Sequence, residues 1–254
     1  MARPLMLFFT VIFGLLFSLN SFAQSLTRAD IEKEIRAQRA ELEALEQQFL
    51  APSAADLELF ANLLRQPNTG LIRLLPREKY DSDSTQTNKK TLTMRGGGAY
   101  YSFSRLVHEY GYGSDLELAA DHLSVGFAGA NYGMLLNIGD VSLDEISPEH
   151  PLVRFLAEYK AVKTEPEARV EQRRFGRGTE IEGTLYKERI PLEINKTYLV
   201  RSIDFETSDV LVAFHVARQD SDGSIIIAWK LLRKFPVPML ARTKTEAENT
   251  SLIR

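Results

Sequence analysis

Cysteine is absent from all 254 residues of this chain. Its absence removes disulfides, thiol nucleophiles, cysteine-ligated metals and attachment through a lipidated N-terminal cysteine. Histidine is nearly as scarce, and the four present, His108, His122, His150 and His215, are scattered without metal-ligand spacing. The pair His108-Glu109 is followed at 112 by Tyr112 and not by a second histidine, so the helical zinc-protease pattern is missing. No metal is expected.

Phosphate and nucleotide signatures are also lacking. Gly96 to Gly98 does not lead into Gly-Lys-Ser/Thr, and Gly111 and Gly113 lack the third glycine of a dinucleotide fingerprint. There is no Gly-x-Ser-x-Gly nucleophile elbow. No catalytic residue and no cofactor follows from any motif. Neither sign of charge dominates, since 31 Lys and Arg stand against 34 Asp and Glu for a formal net charge of -3. Such a balance leaves no footprint for nucleic acid and no polybasic patch for a membrane surface. The most basic stretch, Lys163 to Thr179, is interleaved with Glu165, Glu167 and Glu171 and reads as a solvated surface.

Long apolar runs are missing with one exception. Leu5 to Leu19 is uncharged and apolar, follows Arg3, and precedes Ser21-Phe22-Ala23, which offers small residues where a signal peptidase reads. This pattern predicts a signal peptide over 1–23 cleaved after Ala23, hence export to the periplasm or medium. The competing reading is an uncleaved anchor, for which the run is short against the ~20 residues of a spanning helix. After cleavage no stable membrane span is expected.

Residues 24–67 read as a helical arm. Ile31, Ile35, Gln38, Leu42, Leu45 and Phe49 recur at alternating spacings of four and three, a short coiled-coil-like heptad stripe. Pro52 ends that helix, and Ser53 with Asp56 signals the start of another. The stripe either pairs with its copy in a homo-oligomer or folds back on the rest of the chain. Glu34 opposite Arg39 favours a parallel pair, whereas Glu41 opposite Glu46 and Gln38 in the seam oppose it.

Residues 71–240 are dense in β-branched and aromatic residues. The predicted fold class is mainly β (α+β): an antiparallel sheet, sandwich or partly open barrel, with one inserted helix near 149–160, followed by a loose tail over 241–254. Its centre is 197–235. A two-residue turn at Asp222-Gly223 would pair Val216 with Trp229 and Phe214 with Leu231, putting a large apolar face toward a core. The opposite face, with Ala213, His215, Ala228 and Lys230, would meet solvent or a thin second layer. Tyr101, Phe103, Arg105 and Val107 alternate as in a strand, and Tyr132 to Ile138 would neighbour a strand through Leu123, Val125 and Phe127. Asp81 to Lys90 is polar and lacks periodicity, as in a loop.

One segment carries a candidate site. Tyr100, Tyr101, His108, Glu109, Tyr110, Tyr112 and Asp115 set four phenols, an imidazole and two carboxylates among glycines. Aromatic faces beside polar groups suit an envelope glycan or a peptide of another exported protein. The same rings could equally be sheet core and rim with their glycines in turns. The expected function is a non-catalytic exported binding or scaffold module, and the alternative is a glycosidase-like hydrolase using Glu109 and Asp115.

Overall fold

The structure, a computed structural model, describes residues 27–80 and 98–241. It forms two compact units, one ending at Gln47 and the other beginning at Gln48. The expected signal segment, the polar stretch from Asp81 and the tail from 242 lie outside the described residues. Among those described, no helix is long and apolar enough to cross a membrane.

The first unit holds most of helix α1 (Arg28–Leu50), on which Ile31, Ile35, Leu42 and Leu45 of the heptad stripe are exposed. The second unit opens with α2 (Ala54–Leu59), started by the capping box between Ser53 and Asp56, and α3 (Ala61–Leu64). Strand β1 (Thr69–Leu74) and a short helix α4 (Arg77–Tyr80) follow. Then come β2 (Tyr100–Tyr101), β3 (Leu116–Ala119), β4 (His122–Ser124) and β5 (Tyr132–Gly139). Helices α5 (Arg154–Glu158) and α6 (Glu165–Arg177) precede β6 (Thr179–Ile181), β7 (Thr184–Tyr186) and β8 (Arg189–Pro191). The chain closes on β9 (Lys196–Asp204), β10 (Ser208–Gln219) and β11 (Ile225–Lys234).

Among the described residues the unit is β-rich and its strand pairs are antiparallel, without a closed barrel. A five-stranded sheet runs β1-β11-β10-β9-β5, and a four-stranded one runs β2-β3-β4-β8. Between them lies one apolar layer, in which Val200, Val212, Phe214, Ile227 and Trp229 from the large sheet meet Tyr101, Phe103, Leu116, Leu118 and Leu123. The opposite face of the large sheet carries Met134, Leu199, Leu211, Ala213 and Ala228. It is covered by Leu63, Leu143, Val153, Leu156 and Phe175 from the helices and turns. The expected solvent-facing side is therefore an interior. Its alanines are small because helices lie on them, and the Lys230 ammonium donates to the Ile146 carbonyl at 3.0 Å.

Two helices stand here where one was expected. Helix α6 forms within the stretch read only as solvated surface, behind the capping box of Thr164 and Glu167 with Pro166 in the first turn. Its Ala168 and Phe175 are buried while most of its charges face out, Glu171 excepted, which accepts from the Tyr159 hydroxyl at 2.8 Å. Strand β5 pairs with β9 and not with β4, so the chain changes sheets between them.

The central hairpin keeps the expected facing but not the expected register. Phe214 pairs with Trp229, Val216 with Ile227 and Val212 with Leu231. The Asp220 amide donates to the Ser224 carbonyl at 2.8 Å, closing a loop of three residues with Gly223 at φ 87. One extra turn residue would by itself flip every side chain to the other face. A bulge between Val216 and Arg218 steps the ladder once more, and the two steps together restore the facing.

A second difference lies after β2. Residues 102–107 do not continue as a strand but fold into a tight loop, in which the Ser102 amide donates to the Val107 carbonyl at 2.9 Å. Leu106, at its tip, takes a left-handed φ of 61.

Trp229 is only 4% exposed and lies across Gly70, its partner on β1, where an added Cβ would fall 2.5 Å from the indole. Truncating a buried aromatic costs roughly 3–5 kcal/mol, and that loss is expected for Trp229→Ala in urea unfolding. Gly70→Val should cost roughly 1–3 kcal/mol by overpacking the same spot. A loss below about 1 kcal/mol for the tryptophan variant would contradict this packing.

Candidate functional site

At one end the layer between the sheets changes from apolar to polar. Along β9 the core-facing positions read Tyr198, Val200, Ser202 and Asp204, because alternate residues of a strand share a face. Asp204 pairs with Ser208 where β9 turns into β10. From the other side, the loop after β2 brings in Ser102, Arg105, Glu109 and Asp115.

Asp115 is fully buried and organises this loop. Its Oδ2 accepts the amides of Phe103 at 2.7 Å and Ser104 at 3.4 Å, and its own amide donates to the Tyr101 carbonyl at 2.8 Å. Around it the Arg105 guanidinium pairs with Glu109, and the Ser114 hydroxyl donates to the Glu109 carbonyl. His108 reaches back to β1, its Nε2 2.8 Å from the Arg73 carbonyl. Burial holds the His108 ring below the usual histidine range despite that bond, so it serves as a neutral prop.

The seven residues of the candidate cluster therefore divide. Tyr100 and Tyr101 are buried. The Tyr100 hydroxyl donates to buried Glu117 at 2.8 Å, and Tyr101 packs edge-on against Phe103 and His108. Asp115 is buried as well, while His108 and Glu109 are half-buried in the scaffold of the loop. Tyr110 and Tyr112 face outward, 42% and 67% exposed, and they are joined by Leu106 at 60% and Val107 at 45%. Glu109 and Asp115 share the loop but do not line an open cleft, because Asp115 has no exposed surface.

Sequence reasoning did not single out Asp204, Ser202 and Ser208. The signal that could have found them is the alternation itself: in Tyr-Leu-Val-Arg-Ser-Ile-Asp, polar Ser202 and Asp204 occupy the register of Tyr198 and Val200. One oxygen each of Glu109, Asp115 and Asp204, and the hydroxyls of Ser202 and Ser208, are buried without a hydrogen-bond partner among the described residues. Burial pushes the Asp204 carboxyl up to about 8, with Asp115 and Glu109 adding to the rise and Arg105 opposing it. Burial also lifts Asp115, to about 6, against the lowering effect of the Phe103 and Ser104 amides. Burial and mutual repulsion thus both favour retention of a proton by the pair, most strongly at Asp204.

Three or more histidine, aspartate or glutamate side chains do not converge as a metal requires anywhere among the described residues. Two hollows lie elsewhere on the unit, one of about 310 Å³ beside His215 and one of about 500 Å³ beside β5 and β7. Comparison with protein-family models, curated proteins and solved structures returned no match, so the chemistry is read from geometry alone.

The shifted carboxyls make stability depend on pH with a defined sign. Both fall from folded values of about 6 and about 8 to an ordinary 3.8 on unfolding. The folded state thus holds protons more tightly, and this contribution is complete below about pH 4 and is lost as pH rises through 6 and 8. His108 and His215, held neutral by burial, act in the opposite sense under acid. The Asp204 part is therefore read as a difference: wild type should lose roughly 1–3 kcal/mol more than Asp204→Asn between pH 5 and pH 8.5 in urea unfolding. Parallel pH curves for the two proteins would refute the assignment.

Proposed function

We propose that this chain is an exported, non-catalytic binding module whose 106–112 loop docks on another exported protein. The observation that carries the reading is the outward presentation of Leu106, Val107 and Tyr112 on a loop whose base is held to the sheets through Asp115, His108 and the edge-on packing of Tyr110 against Tyr100, and braced internally by the Arg105–Glu109 pair. An apolar group held in place loses little entropy on contact, and tyrosine adds a large amphipathic surface. The strained αL leucine at the tip is consistent with a position kept for contact and not for packing. Aliphatic Leu106 and Val107 beside the two rings favour a protein surface over a sugar, which would stack on ring faces. The hydrolase alternative has less support, because Asp115 is enclosed, with no exposed surface and with Oδ2 accepting two amides. Export itself rests on the apolar run and cleavage pattern of the first 23 residues.

The test places a photo-crosslinking residue at Tyr112 of the full chain in its host envelope. A discrete protein adduct is expected, and the purified partner should bind Leu106→Ser/Tyr112→Ser at least ~10-fold more weakly than wild type. Equal binding by the variant, or recovery only of glycan, would overturn the reading.

The arm fits the same kind of role. Ile31, Ile35, Leu42 and Leu45 are each more than 40% exposed on one helix in heptad spacing, and a second copy of α1 would cover them as a homo-oligomer. Sedimentation at tens of micromolar should find a dimer or larger, and Leu42→Glu should give a monomer by placing a charge in the seam. A monomeric wild type would overturn the pairing of the stripe.

A further inference from the structure

The large sheet has a second polar feature, on its helix-covered face and away from the 106–112 loop. His215 sits midway along β10 at the floor of a hollow of about 310 Å³. Its walls are Phe60 and Leu63 from the start of the unit, Val141 to Asp144 from the turn after β5, and Asn195 before β9. That size and mixture of apolar and polar walls fit a small organic ligand.

The hydrogen bonds around His215 settle which ring nitrogen is free. The Thr197 hydroxyl donates its one proton to the Val141 carbonyl at 2.6 Å. Toward His215 Nδ1, 3.1 Å away, it can therefore only accept, and Nδ1 must carry the ring proton. Burial holds the ring below the ordinary histidine range, against the pull of Asp140, so it is neutral at pH 7. Nε2, which no described residue bonds, is left as a lone-pair acceptor.

The other polar side chains of the lining are Ser142 and Asn195, which can donate or accept, and two carboxylates. Asp140 and Asp144 contribute carboxylates; the Lys196 ammonium is bonded to Asp140 at 2.8 Å from outside the lining, and that of Lys230 is directed to the Ile146 carbonyl at 3.0 Å. A ligand that donates hydrogen bonds and tolerates negative neighbours suits His215 Nε2 and the two carboxylates, while Phe60, Leu63 and Leu143 would cover an apolar part. An anion would meet two carboxylates and a histidine lone pair. A metal is not indicated, since these side chains do not converge on one point.

We propose that the hollow lined by His215, Asp140 and Asp144 is a binding site for a small organic amine with an apolar body, its ammonium group donating to His215 Nε2 and Asp140. The site is independent of the docking loop, because it uses the other face of the large sheet.

The probe is 2-phenylethylamine, with 2-phenylethanol and phenylacetate as its neutral and anionic counterparts, titrated into the labelled full chain. The His215 ring signals are assigned by their loss in His215→Gln. In the free protein they should show a protonated Nδ1 and a bare Nε2. The amine should shift them saturably, with a dissociation constant of about 1 mM or tighter. The alcohol should bind at least ~5-fold more weakly and phenylacetate not at all. Asp140→Asn changes an exposed side chain and should leave the fold intact while weakening the amine ~3–10-fold. A proton on Nε2 in the free protein, no saturable shift up to ~10 mM amine, or equal binding of phenylacetate would overturn the proposal.

Discussion

The large sheet depends on a charge pair sealed into its helix-covered face. Arg201 on β9 and Asp209 on β10 are both almost fully buried and bonded bidentately, Nε to Oδ1 at 2.5 Å and Nη2 to Oδ2 at 2.8 Å. The remaining guanidinium nitrogen donates to the Leu156 carbonyl at the end of α5, and the Phe235 ring stacks 3.3 Å from its carbon. One side chain thus joins two central strands, the helical layer and the segment after β11. Burial alone pushes Asp209 toward its neutral form, and Arg201 opposes this. The pair is a constraint more than a source of stability, because desolvation consumes most of the Coulomb attraction, while stranding either charge costs about 3–5 kcal/mol. It allows only an arrangement in which the helices lie on this face.

With one face committed to helices, the other must be covered by the small sheet. The seam between the sheets is apolar for most of its length and polar at the end where β9 turns. There Asp115, Asp204, Ser202 and Arg105 meet, and the loop carrying the exposed rings is fastened. Burying carboxyls is unfavourable, yet the same burial leaves their protons to be held within the fold and orders a loop that would otherwise be free. An apolar surface presented by such a loop is more useful for recognition than the same residues on a flexible tether.

How much was legible in the chain varied with the range of the interaction involved. The β-rich class, the facing of Trp229, the start of α2 at Ser53 and the break at Pro52 all follow from residues a few positions apart. The hairpin register did not, because its extra turn residue and its bulge cancel in facing and leave no trace in the alternation. Residues 102–107 alternate as a strand does, but Asp115 gathers the amides of Phe103 and Ser104 and bends the segment into a loop. Helix α6 was signalled by Thr164, Pro166 and Glu167, although its charges suggested only a surface.

The candidate cluster shows the same division. Its composition, with four tyrosines, a histidine and two carboxylates, was visible, but facing was not: Tyr100, Tyr101 and Asp115 turn inward while Tyr110 and Tyr112 turn outward. Alternation and capping are local and periodic, so the sequence alone determined the central strands over 197–235, the first helix and the β-rich class. Which face each sheet covers, which carboxyls meet, and where His215 finds Thr197 and Asp140 depend on contacts between residues far apart in the chain. Those pairings cost loop-closure entropy and are selected by the packing of whole layers. For that reason only the tertiary structure decided them.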